Sequence, residues 1–335
     1  MESAKQSQIS ANGPGRAIKP FAIIDQYLLE VQNVISERLC EHPQTAGIEK
    51  LISHILAQSG KMLRPALVLL SGMSCGKILD EHIKVAAIFE IIHEATLLHD
   101  DVIDDADKRR GQKSLNKLYG NASAVLLGDF LLSVVFSMTA RLNNDIASQI
   151  AEAAGRTCRG ELEQNLQKRN WNLSQQQYIE IIADKSAHIF KSCCSLGAKL
   201  SNADYNKIEM LGDYGLNLGI AFQIADDLLD IIGDEEKIGK TLGTDFVETK
   251  PTLPLIHLLA NSDAKQKNKI IGLVDNNELK ELAKLLTENG SIEYAGQTVR
   301  QYVQEAVQSI TSLPDSPARS ALFETASLVA SRTDK

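Results

Sequence analysis

Five aspartates fall between positions 100 and 107, as Asp100, Asp101, Asp104, Asp105 and Asp107. They follow an apolar run directly and lead directly into Lys108-Arg109-Arg110. Ahead of them Ile88, Ile91, Ile92, Ala95 and Leu98 recur at helical spacing. If that helix runs on to Asp104, then Asp100 and Asp104 stack one turn apart with Asp101 beside them, and like charges so placed repel. A bound cation is the simplest compensation. Carboxylate oxygens with no cysteine nearby select a hard ion, Mg²⁺ or Mn²⁺, over zinc. A solvated acidic surface accounts equally well for one such run, so a single copy decides nothing.

The pattern occurs twice. Phe222-Gln223-Ile224-Ala225-Asp226-Asp227-Leu228-Leu229-Asp230 repeats the Asp-Asp-x-x-Asp spacing at the end of another apolar helical stretch. Apolar residues separate the acids in both copies, Val102-Ile103 in one and Leu228-Leu229 in the other, which a solvated face has no reason to carry. Two such helix ends facing each other across a cavity form a multi-metal clamp for a diphosphate.

Two bound diphosphates need more positive charge than metals supply. Lys61 and Arg64 stand three apart at the mouth of a helix, and Gly60 leaves backbone room for an anion. His54 lies about two helical turns earlier and can face the same pocket, although an ordinary half-buried imidazole fits that position as well. Arg109 and Arg110 point in different directions, so each can hold one phosphate group through a guanidinium fork. Lys185-Ser186 interrupts a helical stretch, and Lys240 and Lys250 flank a Gly-rich segment. Taken singly each lysine reads as surface; their joint placement beside acidic helix ends favours a site. No G-x-x-x-x-G-K-[ST] run is present, which excludes a nucleotide P-loop.

The elements that must position these groups are helical. Segments after Pro20 show a period near 3.6 without convincing alternation of period two. Helices are expected over 21–39, 48–57, 66–73, 78–104, 122–142, 146–167, 175–200 with Ser174 as N-cap, and 203–232. Shorter ones follow within 252–331, and 233–251 reads as a lid or loop. The expectation is an all-α, single-domain helical bundle around a central cavity over 20–335, behind a disordered tail at 1–19. With 335 residues and 44% apolar composition a sizeable core is available. A net charge of −8 with scattered basic residues excludes general nucleic-acid binding. The five cysteines are odd in number and form no Cys-x-x-Cys pair, as expected of reduced, mostly buried thiols in a cytoplasmic protein. Positions 1–19 hold no apolar segment, so no secretory signal is expected. The apolar run 122–136 is short for a bilayer span and contains Asp129, which points to a soluble chain whose oily product brings it to a membrane surface.

These residues resemble the trans-isoprenyl diphosphate synthases, the polyprenyl diphosphate synthase family. Leu98 to Gly111 looks like that family's first aspartate-rich motif and Phe222 to Asp230 like its second. Gly60-Lys61-Met62-Leu63-Arg64-Pro65, with His54 ahead of it, resembles the isopentenyl diphosphate site. Gly128-Asp129-Phe130, Gly160-Glu161-Leu162-Glu163-Gln164, Lys185-Ser186, and Gly239-Lys240 through Asp245 to Lys250 match in the family's order. Ser59, Met62, Ser186 and Thr249 depart mildly from it. The resemblance implies three Mg²⁺ ions, with Mn²⁺ as an alternative, on Asp100, Asp104 and Asp226, and with Asp101, Asp227 and Asp230 supporting them. It implies that Arg109, Lys185 and Lys240 hold an allylic diphosphate, helped by Ser186 and Lys250. His54, Lys61, Arg64 and Arg110 would hold isopentenyl diphosphate, with Gln223 beside the reacting allylic group. A homodimer is expected.

The growing prenyl tail must run down between helices, at about 1.5 Å per residue N-terminal to Asp100. Ala95, Thr96 and Ile92 line that route, and bulky aromatics at the first two positions are what stop the tail early in the family. Small residues here favour a medium- or long-chain product of quinone side-chain type over geranylgeranyl or farnesyl diphosphate, with Phe130 or Phe136 as a floor. A terpene cyclase shares the first motif but not an Asp-rich second one, and a His-Asp hydrolase lacks its other histidines. A non-catalytic subunit of a two-chain prenyl synthase generally loses an aspartate motif, and this chain keeps both.

Overall fold

The computed structural model describes residues 19–41, 45–57, 60–233 and 243–333. Nearly all of the expected tail, together with Ser59 and Lys240, therefore lies outside the described residues. A 3₁₀ turn, Lys19–Ile24, leads into α1 (Asp25–Leu39), α2 (Ala46–Ala57), α3 (Leu63–Cys75) and α4 (Asp80–Ile103). A short hairpin, β1 (Lys108–Arg109) with β2 (Gln112–Lys113), precedes α5 (Leu115–Tyr119), α6 (Asn121–Thr139) and α7 (Asn144–Leu166). Then come α8 (Gln175–Ile182), one π-helical turn (Ala183–Ala187), α9 (His188–Leu200) and the long α10 (Tyr205–Ile232). The remainder forms α11 (Thr244–Val247), α12 (Leu253–Ala260), α13 (Ala264–Asp275), α14 (Leu279–Glu288), α15 (Ser291–Ser309), α16 (Pro317–Ala330) and a closing 3₁₀ turn, Ser331–Thr333.

Local chemistry sets the boundaries. Ser174 and Gln177 close a capping box on α8, with the Gln177 amide donating to Ser174 Oγ at 3.2 Å. Asp204 caps α10 by accepting from the Lys207 amide at 3.0 Å. The hairpin turns on Arg110 and Gly111, both with positive φ (51° and 78°), the twist a two-residue turn needs.

Packing places α10 against α9 and α15, α3 against α9 and α4, and α4 against α6. Gly219 lets α10 close on the π-turn, since a Cβ there would stand 2.5 Å from Ala187 Cα. Ala66 through Leu70 of α3 are all buried, and so is the α4 face carrying Ile88, Ile91, Ile92 and Ala95. A smaller apolar cluster around Phe246, Leu255, Leu258 and Leu282 seats α11 through α14.

The structure departs from the sequence expectations in four places. The segment 175–200 is two α-helices parted by the π-turn, because the backbone must swing Lys185 against α7. The basic stretch after Asp107, which carries no strand signal, forms a hairpin and the short α5. Helix α6 runs to Thr139 and holds an 18-residue window of mean hydropathy 1.8, so by length and composition alone it is long and apolar enough to cross a membrane, with a third of that window buried in the fold. Of the cysteines, Cys193 and Cys194 are buried but Cys40 and Cys158 are exposed, and all five are free thiols.

Candidate active site

Helix α4 ends within its own acidic run, and Asp104 sits at the C-cap with its amide donating to Asp100 O at 2.8 Å. A helix C-terminus already carries partial negative charge, so carboxylates are badly placed there unless function requires them. Burial pushes the Asp100 carboxyl up to about 7, with Lys185 opposing and Glu161 and Asp104 adding to the rise. Asp101 is buried and accepts from Arg109 Nε at 2.9 Å. Asp104 accepts from Lys250 Nζ at 2.9 Å; burial alone would raise its carboxyl, but Lys250 holds it below the usual range.

The second motif lies on the last turns of α10. Asp226 pairs with the guanidinium of Arg332, which also stacks 4.7 Å from the Phe222 ring. Asp227 accepts from Tyr178 Oη at 2.6 Å and from Gln223 Nε2 at 2.8 Å. Burial, with Asp245 nearby, raises its carboxyl to about 7. Asp230, 1% exposed, accepts from Thr244 Oγ1 at 3.0 Å and from the Asp245 amide at 3.1 Å, and so fixes the start of α11.

Lys185 bridges the two motifs. Its Nζ donates to Gln164 Oε1 and to Glu161 Oε2, both at 2.7 Å. Burial would lower its pKa, yet Glu161 and Asp100 hold it above the ordinary lysine range. Asp100 and Asp104 on one side and Asp227 on the other all feel its charge. The π-turn brings Lys185 here, and Gly160 makes the approach possible: a Cβ on Gly160 would lie 2.1 Å from Lys185 N. The neighbouring Ser186 donates to Gln223 Oε1 at 2.5 Å, which orients that amide for Asp227.

The basic groups expected to form the second anion site converge at the mouths of α2 and α3. Arg110 donates to Glu94 Oε1 at 2.9 Å, and a Cβ on Gly60 would come within 2.6 Å of its guanidinium. Arg64 turns inward over Phe190, 5.3 Å from the ring, with its Nε buried and lacking a hydrogen-bond partner. Burial lowers its pKa, and Glu90 is the first of the acids resisting this. Lys61 stays exposed beside Met62, whose φ of 52° turns the chain into α3. His54 meets Tyr119 edge-on at 6.2 Å and helps line a small cavity with Glu94, Leu97, Asp101 and Arg109. Arg109 and Arg110 thus diverge, as expected of neighbours on a strand and its turn.

Two expectations change on contact with the structure. Lys250 is 4% exposed and not a surface lysine. Phe136 is 69% exposed, so within this chain it points away from any tail route, whereas Phe130 packs against the core. Ala95 and Ile92 are buried, while Thr96 is half-buried with its Oγ1 donating to His93 O at 2.8 Å. Among the described residues no three acids stand close enough to share one ion; Arg109, Lys250 and Arg332 each pair with a motif aspartate instead. Sequence reasoning missed Arg332, Tyr178 and Glu94, which reach the site only through tertiary packing. A lone arginine at position 332, remote in sequence from both motifs, carries no spacing signal.

An all-helical bundle with two acidic helix ends about one half-buried lysine, and guanidinium groups at its rim, is built to hold diphosphates. The family model for polyprenyl synthetases matches residues 45–288, and the chain belongs to that family. Octaprenyl diphosphate synthase of Escherichia coli is 33% identical over 290 residues, covering 85% of this chain and 90% of that one. Heptaprenyl diphosphate synthase component 2 of Bacillus subtilis is 34% identical over 281 residues, 83% and 81% of the two chains. The solved structure of a Caulobacter crescentus polyprenyl synthase, complexed with calcium and isoprenyl diphosphate, superposes with a TM-score of 0.87 at 33% identity. It covers 96% of this chain and 99% of that one. The protein is a trans-prenyltransferase of a metal-dependent family, and prenyl diphosphates are its substrates.

Proposed function

We propose that the chain condenses isopentenyl diphosphate with an allylic diphosphate to build a medium- or long-chain all-trans polyprenyl diphosphate. The observation that carries this reading is Lys185, which lies within electrostatic reach of both aspartate motifs at once. The donors at the motifs are all carboxylate oxygens, and burial raises the Asp100 carboxyl to about 7 against the opposing charge of Lys185. Such a donor set fits a hard divalent ion. Asp100, Asp104 and Asp226 would hold three Mg²⁺ or Mn²⁺ ions, and Asp101 and Asp227 would orient them; the calcium in the Caulobacter relative is in keeping with such a site. Ions bound there supply the positive charge that neutralises the departing diphosphate.

The chain's own groups do the rest. Lys185, Arg109 and Lys250, with Lys240 from outside the described residues, grip the allylic diphosphate, so its C–O bond ionises next to fixed positive charge. His54, Lys61, Arg64 and Arg110 hold isopentenyl diphosphate with its double bond towards the allylic cation, and positioning lowers the barrier further. Gln223, oriented by Ser186 and Asp227, lies beside the reacting carbon. The isopentenyl double bond attacks the allylic cation, and the released diphosphate takes the proton whose loss from the adjacent carbon forms the new double bond. The buried Asp230 serves this centre by anchoring the start of α11.

Ala95 supports the length assignment, because a small residue on the buried face of α4 one turn above Asp100 presents no aromatic block to a growing tail, and the octaprenyl and heptaprenyl relatives are in keeping with it. Geranylgeranyl diphosphate is the second choice. The exposed apolar side chains of α6, Leu126 and Phe136, suit a homodimer, with a heteromeric synthase as the alternative given the two-component relative. We place the enzyme in the cytoplasm, with membrane contact through its product. Incubating the purified chain alone with Mg²⁺, isopentenyl diphosphate and farnesyl diphosphate tests all of this. Extracted product longer than geranylgeranyl is expected, and Asp100→Ala or Asp226→Ala should lower turnover by orders of magnitude. No elongation by the chain alone would remove the homomeric enzyme, and near-normal turnover by either variant would remove the metal assignment.

A further inference from the structure

Lys250 has two acids to choose between. Its Nζ lies 2.9 Å from Asp104 Oδ1 and 3.2 Å from Glu248 Oε2, with the lysine buried and Glu248 largely so. One ammonium shared between two carboxylates is not committed to either. A second cation settles the balance: Lys168, from the loop joining α7 to α8, donates to the same Glu248 Oε2 at 2.8 Å. Lys168 thus takes up part of the charge of Glu248, and Lys250 is left to Asp104, with Asp245 also drawing on its charge.

The same loop also fixes the backbone that carries Lys250. The Arg169 amide donates to Thr249 O at 2.9 Å, and the Arg169 guanidinium lies 2.9 Å from Asp275 Oδ1 at the end of α13. Thr249, one residue before Lys250, is held at φ 58°, a conformation that a β-branched residue adopts only when its surroundings impose it. The Thr249 and Lys250 amides donate to Phe246 O and Asp245 O at 2.9 and 2.8 Å, tying the turn to α11. Strain in the backbone and a cation on its flank both act on one side chain.

We propose that Lys168 is a positioning residue for prenyl transfer: acting through Glu248, it fixes Lys250 on Asp104 at the allylic diphosphate. This rests on the role given to Lys250 above. Lys168→Met removes the charge but keeps the stem, and on a half-exposed loop it leaves the fold intact. It should raise KM for the allylic diphosphate about tenfold, the effect of unbalancing a largely buried charged hydrogen bond, while KM for isopentenyl diphosphate stays as in the wild type. Lys168→Arg should restore the allylic KM, which a merely structural contribution would not single out. In a Lys250→Met background, Lys168→Met should add nothing further, since the two act in series. An impaired Lys250→Met enzyme alongside Lys168→Met with a wild-type allylic KM overturns this inference alone. An unimpaired Lys250→Met enzyme overturns both it and the role of Lys250.

Discussion

Replacing Glu90 with Gln should make the metal-free enzyme more stable, and increasingly so as pH rises. Glu90 lies on α4 with 4% of its surface exposed, and its Oε2 is buried without a hydrogen-bond partner. Burial, with Glu94 one turn on, pushes its carboxyl from 4.5 up to about 7, while Arg64 and Arg110 pull it back. The folded chain therefore keeps a proton that the unfolded chain gives up, and stability falls with pH across the window between those values. Below the unfolded value the contribution is intact; above the folded one it is lost. The difference corresponds to about 3 kcal/mol. Glutamine keeps the shape of the protonated acid at every pH and so escapes the loss. Thermal or urea unfolding of both proteins at pH 5, 6, 7 and 8 measures this. The gap should widen in favour of the variant by about 2–3 kcal/mol over that range, other titrating groups cancelling in the comparison. Parallel pH profiles, or a variant less stable at pH 8, would mean that Arg64 and Arg110 already compensate the buried charge in full.

Ala95→Phe places a ring on the buried face of α4 one turn above the first motif, so the extracted product should shorten towards farnesyl length; an unchanged chain length would take Ala95 out of the wall. Gly160→Ala drives a methyl into the backbone of Lys185, and overpacking of that kind costs about 1–3 kcal/mol. Turnover should fall well beyond the change in melting temperature, and full activity would show that the π-turn can give way without moving Lys185. Arg332→Gln removes the cation seated on Asp226. In the free enzyme, Mn²⁺ binding followed by electron paramagnetic resonance should shift to lower metal concentration, and an unmoved titration would mean that the guanidinium and the metal do not compete for that carboxylate.

Much of the site was readable because its signals are local. Asp100, Asp101 and Asp104 share a helix end through spacing alone, and Asp226, Asp227 and Asp230 do the same. Gly60 to Arg64 announces a helix mouth, and Arg109-Arg110-Gly111 a cationic turn. The amphipathic period that located α1 to α4, α6, α7 and α10 is likewise a property of neighbouring residues. Where local preference was ambiguous, the reading slipped by small amounts. The stretch 175–200 has unbroken helical spacing, and only the contact with Gly160 on α7 opens it into a π-turn. The outward face of Phe136 follows from which side of α6 meets α4, which periodicity alone leaves undecided for a helix apolar nearly all round.

The sequence by itself determined the helical class, the two carboxylate motifs and the cations adjacent to them, since each is encoded within a turn or two of chain. Only the tertiary structure decided which acid each cation holds. Arg332 on Asp226, Lys250 on Asp104 and Lys168 on Glu248 join residues from distant segments. The physical reason is that charge pairing acts through space: its partners are chosen by how helices pack, and a buried lysine or arginine looks no different in sequence from an exposed one.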